Sequence, residues 1–159
     1  MTKRLTHDLT YDAPLADVAA MLVDPAFREE VCAYQGVVRS NVTVHPNGAG
    51  TEVVIDQVQA AQGIPSFAKK FVGDEINIVQ SESWAGDEAR IHVTIPGKPG
   101  EMSGTATLRE SGGRTTETVS LDIKVNIPLV GGKIEGLISD LLLKALRAEN
   151  KVGNDYLSR

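Results

Sequence analysis

Apolar residues recur at every second position through most of the chain, and at every third or fourth position near its end. In 2–11, Leu5, His7, Leu9 and Tyr11 face one way while Thr6, Asp8 and Thr10 face the other, the mark of a half-buried strand. The same period returns in Val38, Val42 and Val44, and again in 51–59. The P-N-G-A-G turn at 46–50 makes these two runs a hairpin. Ile76, Ile78, Gln80, Glu82 and Trp84 share the next face, followed by Ala89, Ile91, Val93 and Ile95. Met102, Gly104, Ala106 and Leu108 form a face of small and apolar residues, and Val119, Leu121, Ile123 and Val125 form the last. A-G-D-E at 85–88, P-G-K-P-G at 96–100 and S-G-G-R at 111–114 turn the chain between them. Strands joined by tight turns and alternating in polarity predict a seven-stranded antiparallel sheet with one solvated face.

Helical periods fill the remainder. After the first strand, D-A-P-L-A-D-V-A-A-M-L-V places Pro14 at a first helical position and Val18, Met21 and Leu22 on a short apolar face. Asp24 and Pro25 then restart a helix, as N-cap and first turn, which runs through Phe27, Val31 and Tyr34 and stops near Gly36. In 60–73, Ser66 is a potential cap, Ile64, Phe67, Ala68 and Phe71 share a face, and Lys69 and Lys70 lie opposite. The longest periodic segment is 134–157. Ile134, Leu137, Ile138, Leu141, Ala145, Ala148, Val152 and Tyr156 fall within an arc of roughly 100°. At ~1.5 Å per residue this helix is about 36 Å long, enough to span a small domain. On its wheel Leu142 and Leu146 sit on a shoulder. Leu143 falls opposite the core with Gly132, Gly136 and Ser139, a strip that is either plain surface or a homodimer contact. The expectation is an α+β domain covering 1–159: a curved sheet around a long C-terminal helix, with two short helices after the first strand.

Composition narrows the function classes. The net charge of −5, with no block of one sign, argues against a general nucleic-acid surface. The few aromatic residues argue against base-stacking platforms. One cysteine, Cys32, excludes an internal disulfide and is expected to be buried and structural. No apolar run approaches the ~20 residues of a membrane span, and no secretory h-region is seen, so a soluble cytoplasmic protein without stable membrane insertion is expected. His7, His45 and His92 show no metal-ligand spacing, so no metal or cofactor is expected. Gly131-Gly132-Lys133 fails as a phosphate loop because Ile127 and Ile134 occupy positions that need Gly and Ser or Thr. G-x-S-x-G is absent.

The order of elements, with D-A-P-L-A-D-V after the first strand, D-P-A-F at 24–27 and I-P-L-V-G-G-K-I-E leading into the last helix, resembles the START-like, or SRPBCC, helix-grip superfamily. That superfamily includes pollen-allergen-type proteins, polyketide cyclases and lipid-transfer domains, and these segments look most like an uncharacterised bacterial branch of it. The resemblance implies an apolar cavity between the sheet and the C-terminal helix. It is a guide to fold rather than to chemistry, because one fold hosts many functions.

Such a cavity would be lined by His7, Phe67, Phe71, Gln80, Glu82, Trp84, Leu141 and Ala145, with His7, Gln80, Glu82 and Trp84 as polar anchors. His7 has a plainer account, a core histidine with a hydrogen-bond partner. Glu82 is either a desolvated acid able to act as general acid or base, or a strand-end residue at the rim in water; the rim is the simpler expectation. The 60–73 segment reads as a cap on the core or as a lid. Binding or carriage of a lipid, isoprenoid or polyketide-like molecule, as monomer or homodimer, is the leading functional reading. A cyclase- or dehydratase-type enzyme with His7 and Glu82 as catalytic candidates is the alternative, with Tyr11 and Tyr156 as further acid/base groups. A co-chaperone or interaction module with a filled core is the third.

Overall fold

The computed structural model describes residues 2–159. Strand β1 (Thr2–Tyr11) is followed by two short helices, α1 (Leu15–Leu22) and α2 (Pro25–Gln35). The hairpin β2 (Arg39–Asn47) and β3 (Gly50–Ala60) leads to α3 (Ser66–Val72). Strands β4 (Glu75–Ala85), β5 (Glu88–Thr94), β6 (Glu101–Ser111) and β7 (Arg114–Lys124) then precede α4 (Gly131–Leu157). All seven strands form one antiparallel sheet in the order β1-β7-β6-β5-β4-β3-β2. The architecture is α+β with the long C-terminal helix against the sheet, the helix-grip arrangement.

Local chemistry sets the helix ends. The Asp24 carboxylate accepts from the Ala26 N–H at 3.0 Å, Pro25 opens the first turn, and Gly36 closes α2 in the left-handed region at φ 69°. In α3, by contrast, Ser66 is the first helical residue and makes no cap; Pro65 precedes it. Helix α4 starts at Gly131, so the glycine pair lies inside its first turn rather than before it.

The inner face of the sheet carries the residues that alternation places there, among them Leu9, Val53, Ile91, Val93, Met102, Ala106, Leu121 and Ile123. Helix α4 lies chiefly along β1 and against α2, so its cover over β3, β4 and β5 is incomplete.

The orientation of α4 departs from the sequence expectation. Its buried residues include Glu135, Ser139, Glu149 and Gly153 as well as Ile134, Ala148 and Val152. That face is turned roughly 60° from the purely apolar one. Leu141, placed on the inner face by periodicity, is 41% exposed. Leu143 is half-buried against the core, not opposite it, which removes the motive for a dimer contact there. The cause is polar anchoring. Glu135 accepts the Val125 N–H at 2.8 Å, and Glu149 pairs with Arg28. On the flank shared with Leu143, Asn150 and Asn154 donate to the Thr10 carbonyl at 2.8 and 3.0 Å, clamping the helix to β1. These interactions offset the burial of polar groups that a wheel assigns to solvent.

Candidate functional site

Among the described residues, two cavities reach the core between the sheet and α4, and a more open cleft of about 670 Å³ adjoins them among Tyr34, Gln59, Ile64, Ile76, Leu141 and Ala148. The outer cavity, about 100 Å³, has walls of Ile64, Ala68, Phe71 and Val72 around α3, Ile76 and Ile78 on β4, Met102 on β6, and Ile134, Leu137, Ile138 and Leu141 on α4. The inner one, about 60 Å³, is lined by Arg28, Val31 and Cys32 on α2, Glu82 on β4, Glu117 and Val119 on β7, and Leu146 and Glu149 on α4. Gln57, Gln80, Leu142 and Ala145 line both, so the chambers adjoin across a shared wall. One is apolar; the other is rich in ionisable groups.

The inner chamber is organised by Arg28, which is 3% exposed. Its Nε donates to the Leu22 carbonyl at 2.8 Å, Nη1 to Glu149 at 2.7 Å and Nη2 to Glu82 at 2.6 Å. The guanidinium also lies 5.8 Å from the centroid of the buried Phe27 ring. Burial opposes its charge, but the carboxylates of Glu82, Glu149 and Glu117 outweigh that penalty and hold it firmly protonated. Glu82 accepts from Arg28, from Trp84 Nε1 at 2.9 Å and from Gln80 Nε2. It is 3% exposed, so the expected position at a water-filled rim is incorrect. Strand β4 keeps its alternation to its end, and Arg28 reaches across from α2 to pair the acid.

Glu117 is equally buried, but its Oε1 has no hydrogen-bond partner. Burial, with added repulsion from Glu149 and Glu82, pushes its carboxyl well above the ordinary range; Arg28 only partly opposes this. Burial likewise raises Glu149, to about 7, against the attraction of Arg28 and with the repulsion of Glu82. The Tyr11 hydroxyl, fully buried nearby, is also without a partner, and burial and the surrounding carboxylates raise it. Among the described residues, no set of three His, Cys, Asp or Glu converges as metal ligands would.

Of the residues singled out in the sequence, Phe71, Gln80, Glu82, Leu141 and Ala145 line the cavities, whereas His7, Phe67 and Trp84 line neither. His7 is half-buried opposite Val119, and no cavity wall joins it to Glu82. Trp84 acts through Glu82, as a donor. His45 and His92 point outward, at 2.9 Å from Glu52 and 3.3 Å from Glu101. Sequence reading missed Arg28, Glu117 and Glu149. Glu117 had a signal: it has the inward parity of Val119 and Leu121. Glu149 lies two helical turns past Leu142 and one past Leu146, on the same side of the helix. Arg28 had none, because only the meeting of α2 with β4 and α4 gives it partners.

Comparison with known proteins agrees with this architecture. A family model described as "Protein of unknown function (DUF2505)" matches residues 6–157. An uncharacterized protein of Mycobacterium tuberculosis (strain H37Rv) is 30% identical over 108 residues, 63% of this chain; the match spans 62% of that relative's length. Among solved structures, the Zhui aromatase/cyclase from Streptomyces sp. R1128 superposes with a TM-score of 0.68 at 13% identity, over 100% of this chain and 95% of that one. Norcoclaurine synthase from Thalictrum flavum, in complex with dopamine and hydroxybenzaldehyde, gives 0.59 at 16% identity, over 96% and 86%. At these identities the likeness establishes the helix-grip fold.

Proposed function

We infer that this chain, which belongs to the DUF2505 family, binds or carries a hydrophobic small molecule in the space between the sheet and α4. The observation that carries this reading is the pair of adjoining chambers: an apolar one for the body of a ligand and a polar one for its end. Ligand pockets have this composition, with mostly apolar walls and a few placed polar groups. The structural likeness to proteins that act on small organic molecules is consistent with it. The chambers measure about 100 and 60 Å³, below the ~300 Å³ of a typical ligand site. A ligand wholly enclosed in the two chambers therefore has to displace part of the wall. Helix α3 is the movable part, a seven-residue helix between Gly63 at φ 73° and Gly73 at φ 77° whose one buried side chain is Ala68.

Native mass spectrometry of gently purified protein, followed by a thermal-shift screen of lipids, isoprenoids and aromatic polyketides, tests the reading. A retained ligand or a saturable rise in Tm is expected. Ala145→Phe, which fills the wall common to both chambers, should remove that rise while leaving a cooperative unfolding transition. A ligand-free spectrum with no stabilisation by any compound would sink the proposal.

A second reading, a cyclase- or dehydratase-type enzyme, rests on Glu117 and Glu149, two carboxyls in one chamber whose environments raise both. Unequal protonation is how paired acids divide acid and base roles. A filled-core interaction module draws less support, because the interior holds two cavities.

A further inference from the structure

The inner chamber has a charge imbalance that says what kind of polar end it takes; the argument rests on the ligand-binding reading above. Arg28 is the cation lining it, and it faces Glu82, Glu149 and Glu117. Arg28 and Glu82 satisfy one another, and Gln80 and Trp84 complete Glu82. Glu149 has one partner, the 2.7 Å bond from Arg28 Nη1, and Glu117 Oε1 has none although the side chain is 3% exposed and lines the cavity. The unmet need is for a hydrogen-bond partner at Glu117 and, once Glu149 ionises, for one further positive charge, because Arg28 is already balanced by Glu82.

We propose that the inner chamber is a head-group site for a cationic hydrogen-bond donor, a protonated amine on an apolar body, held against Glu117 and Glu149. An ammonium supplies three donors and one positive charge in a compact group. With Glu117 protonated, ammonium plus Arg28 balances Glu149 plus Glu82, and the buried cluster becomes neutral. A carboxylate or phosphate end would add a like charge to a desolvated acidic site and is excluded on cost. A neutral hydroxyl can donate one bond but leaves the imbalance in place.

The balance makes binding depend on pH. The groups facing Glu149 are Tyr11 from β1, Arg28 and Cys32 from α2, Glu82 from β4 and Glu117 from β7, while β3 and β5 present the neutral Ile55, Gln57 and Ile91. Glu149, raised to about 7, must lose its proton for the cation to be balanced. Amine affinity should therefore rise with pH, by up to about tenfold per unit below 7, and level off above it.

Calorimetric titration of the wild-type protein with n-octylamine, n-octanol and sodium octanoate at pH 5.5, 7 and 8 tests this. The amine should bind tightest at pH 8 and weaken by at least tenfold at pH 5.5. The alcohol should bind with little pH dependence, and octanoate weakest of the three. Glu149→Gln removes the surplus charge and should erase both the amine preference and its pH slope while octanol binding persists. An amine no tighter than the alcohol at pH 8, or a preference for octanoate, overturns the cation site and leaves the apolar cavity standing; water then suffices for the chamber. If none of the three binds, the cation site falls, and the lipid, isoprenoid and polyketide panel decides the ligand-binding reading separately. The wild-type series decides the matter even if Glu149→Gln folds poorly.

Discussion

At the scale of single residues, burial outweighs the nearby Arg28 charge at two acids of the inner chamber. Glu149 and Glu117 are carboxyls that folding takes out of water, and each is easier to protonate in the folded protein than in the unfolded chain. Between the ordinary value of 4.5 and about 7, the folded state keeps a proton on Glu149 that the unfolded state has released. Stability from this group is present below pH 4.5 and is lost as pH rises through 7. The shift corresponds to a loss of about 3 kcal/mol, and Glu117 acts in the same direction. Urea unfolding should therefore give a larger free energy at pH 5 than at pH 8, and Glu149→Gln should flatten much of the difference. A wild-type free energy that increases across this window would show that the acids are not desolvated as described. Glu117 was legible as inward-facing from strand parity. Its unpartnered oxygen was not, because it depends on what the other elements bring to it.

At the scale of elements, α4 shows where periodicity misleads. A wheel assigns polar residues to solvent, yet Glu135, Glu149 and Gly153 are buried because Val125, Arg28 and Tyr11 respectively meet them. Gly153 is the sharpest instance: a Cβ there would lie 2.5 Å from Tyr11 Cε1 and 3.1 Å from Met21 Cε. Both neighbours are fully packed, so Gly153→Ala should cost about 1–3 kcal/mol through overpacking. A Cβ at Gly136 meets nothing within 4 Å, and Gly136→Ala should stabilise the helix by about 0.5–1 kcal/mol. Equilibrium denaturation of the two variants beside the parent checks the pair; effects of the same sign would mean that the contact face of α4 is misassigned.

At the scale of the whole molecule, the sheet and α4 form a grip that is closed along β1 and α2 and thinly closed at α3. That asymmetry follows from where the anchors lie. Asn150 and Asn154 clamp α4 to β1, and Tyr156 donates to Asp24 at the start of α2. Helix α3 covers the outer cavity mainly through Ala68 and Phe71. Ligand entry should use the thin side. Amide hydrogen exchange should show residues 64–73 protected on saturation with ligand, while β6 and β7 change little. Protection that appears only in α1 and α2 would move the entrance to the opposite end.

The sequence by itself determined the elements, their order and the class of the fold. Alternation and helical repeat are local consequences of which residues avoid water, and tight turns leave an antiparallel sheet as the economical arrangement. It also put Gln80, Glu82 and Ala145 on inward faces. Only the tertiary structure decided that Glu82 is paired rather than wet, that Arg28 and Glu149 are buried, and that Leu141 lies at a rim while Leu143 packs inward. The reason is that a charged residue looks the same in sequence whether or not a partner waits for it. Partners distant in the chain, at separations of 54 residues for Arg28 and Glu82 and 121 for Arg28 and Glu149, are supplied by folding alone.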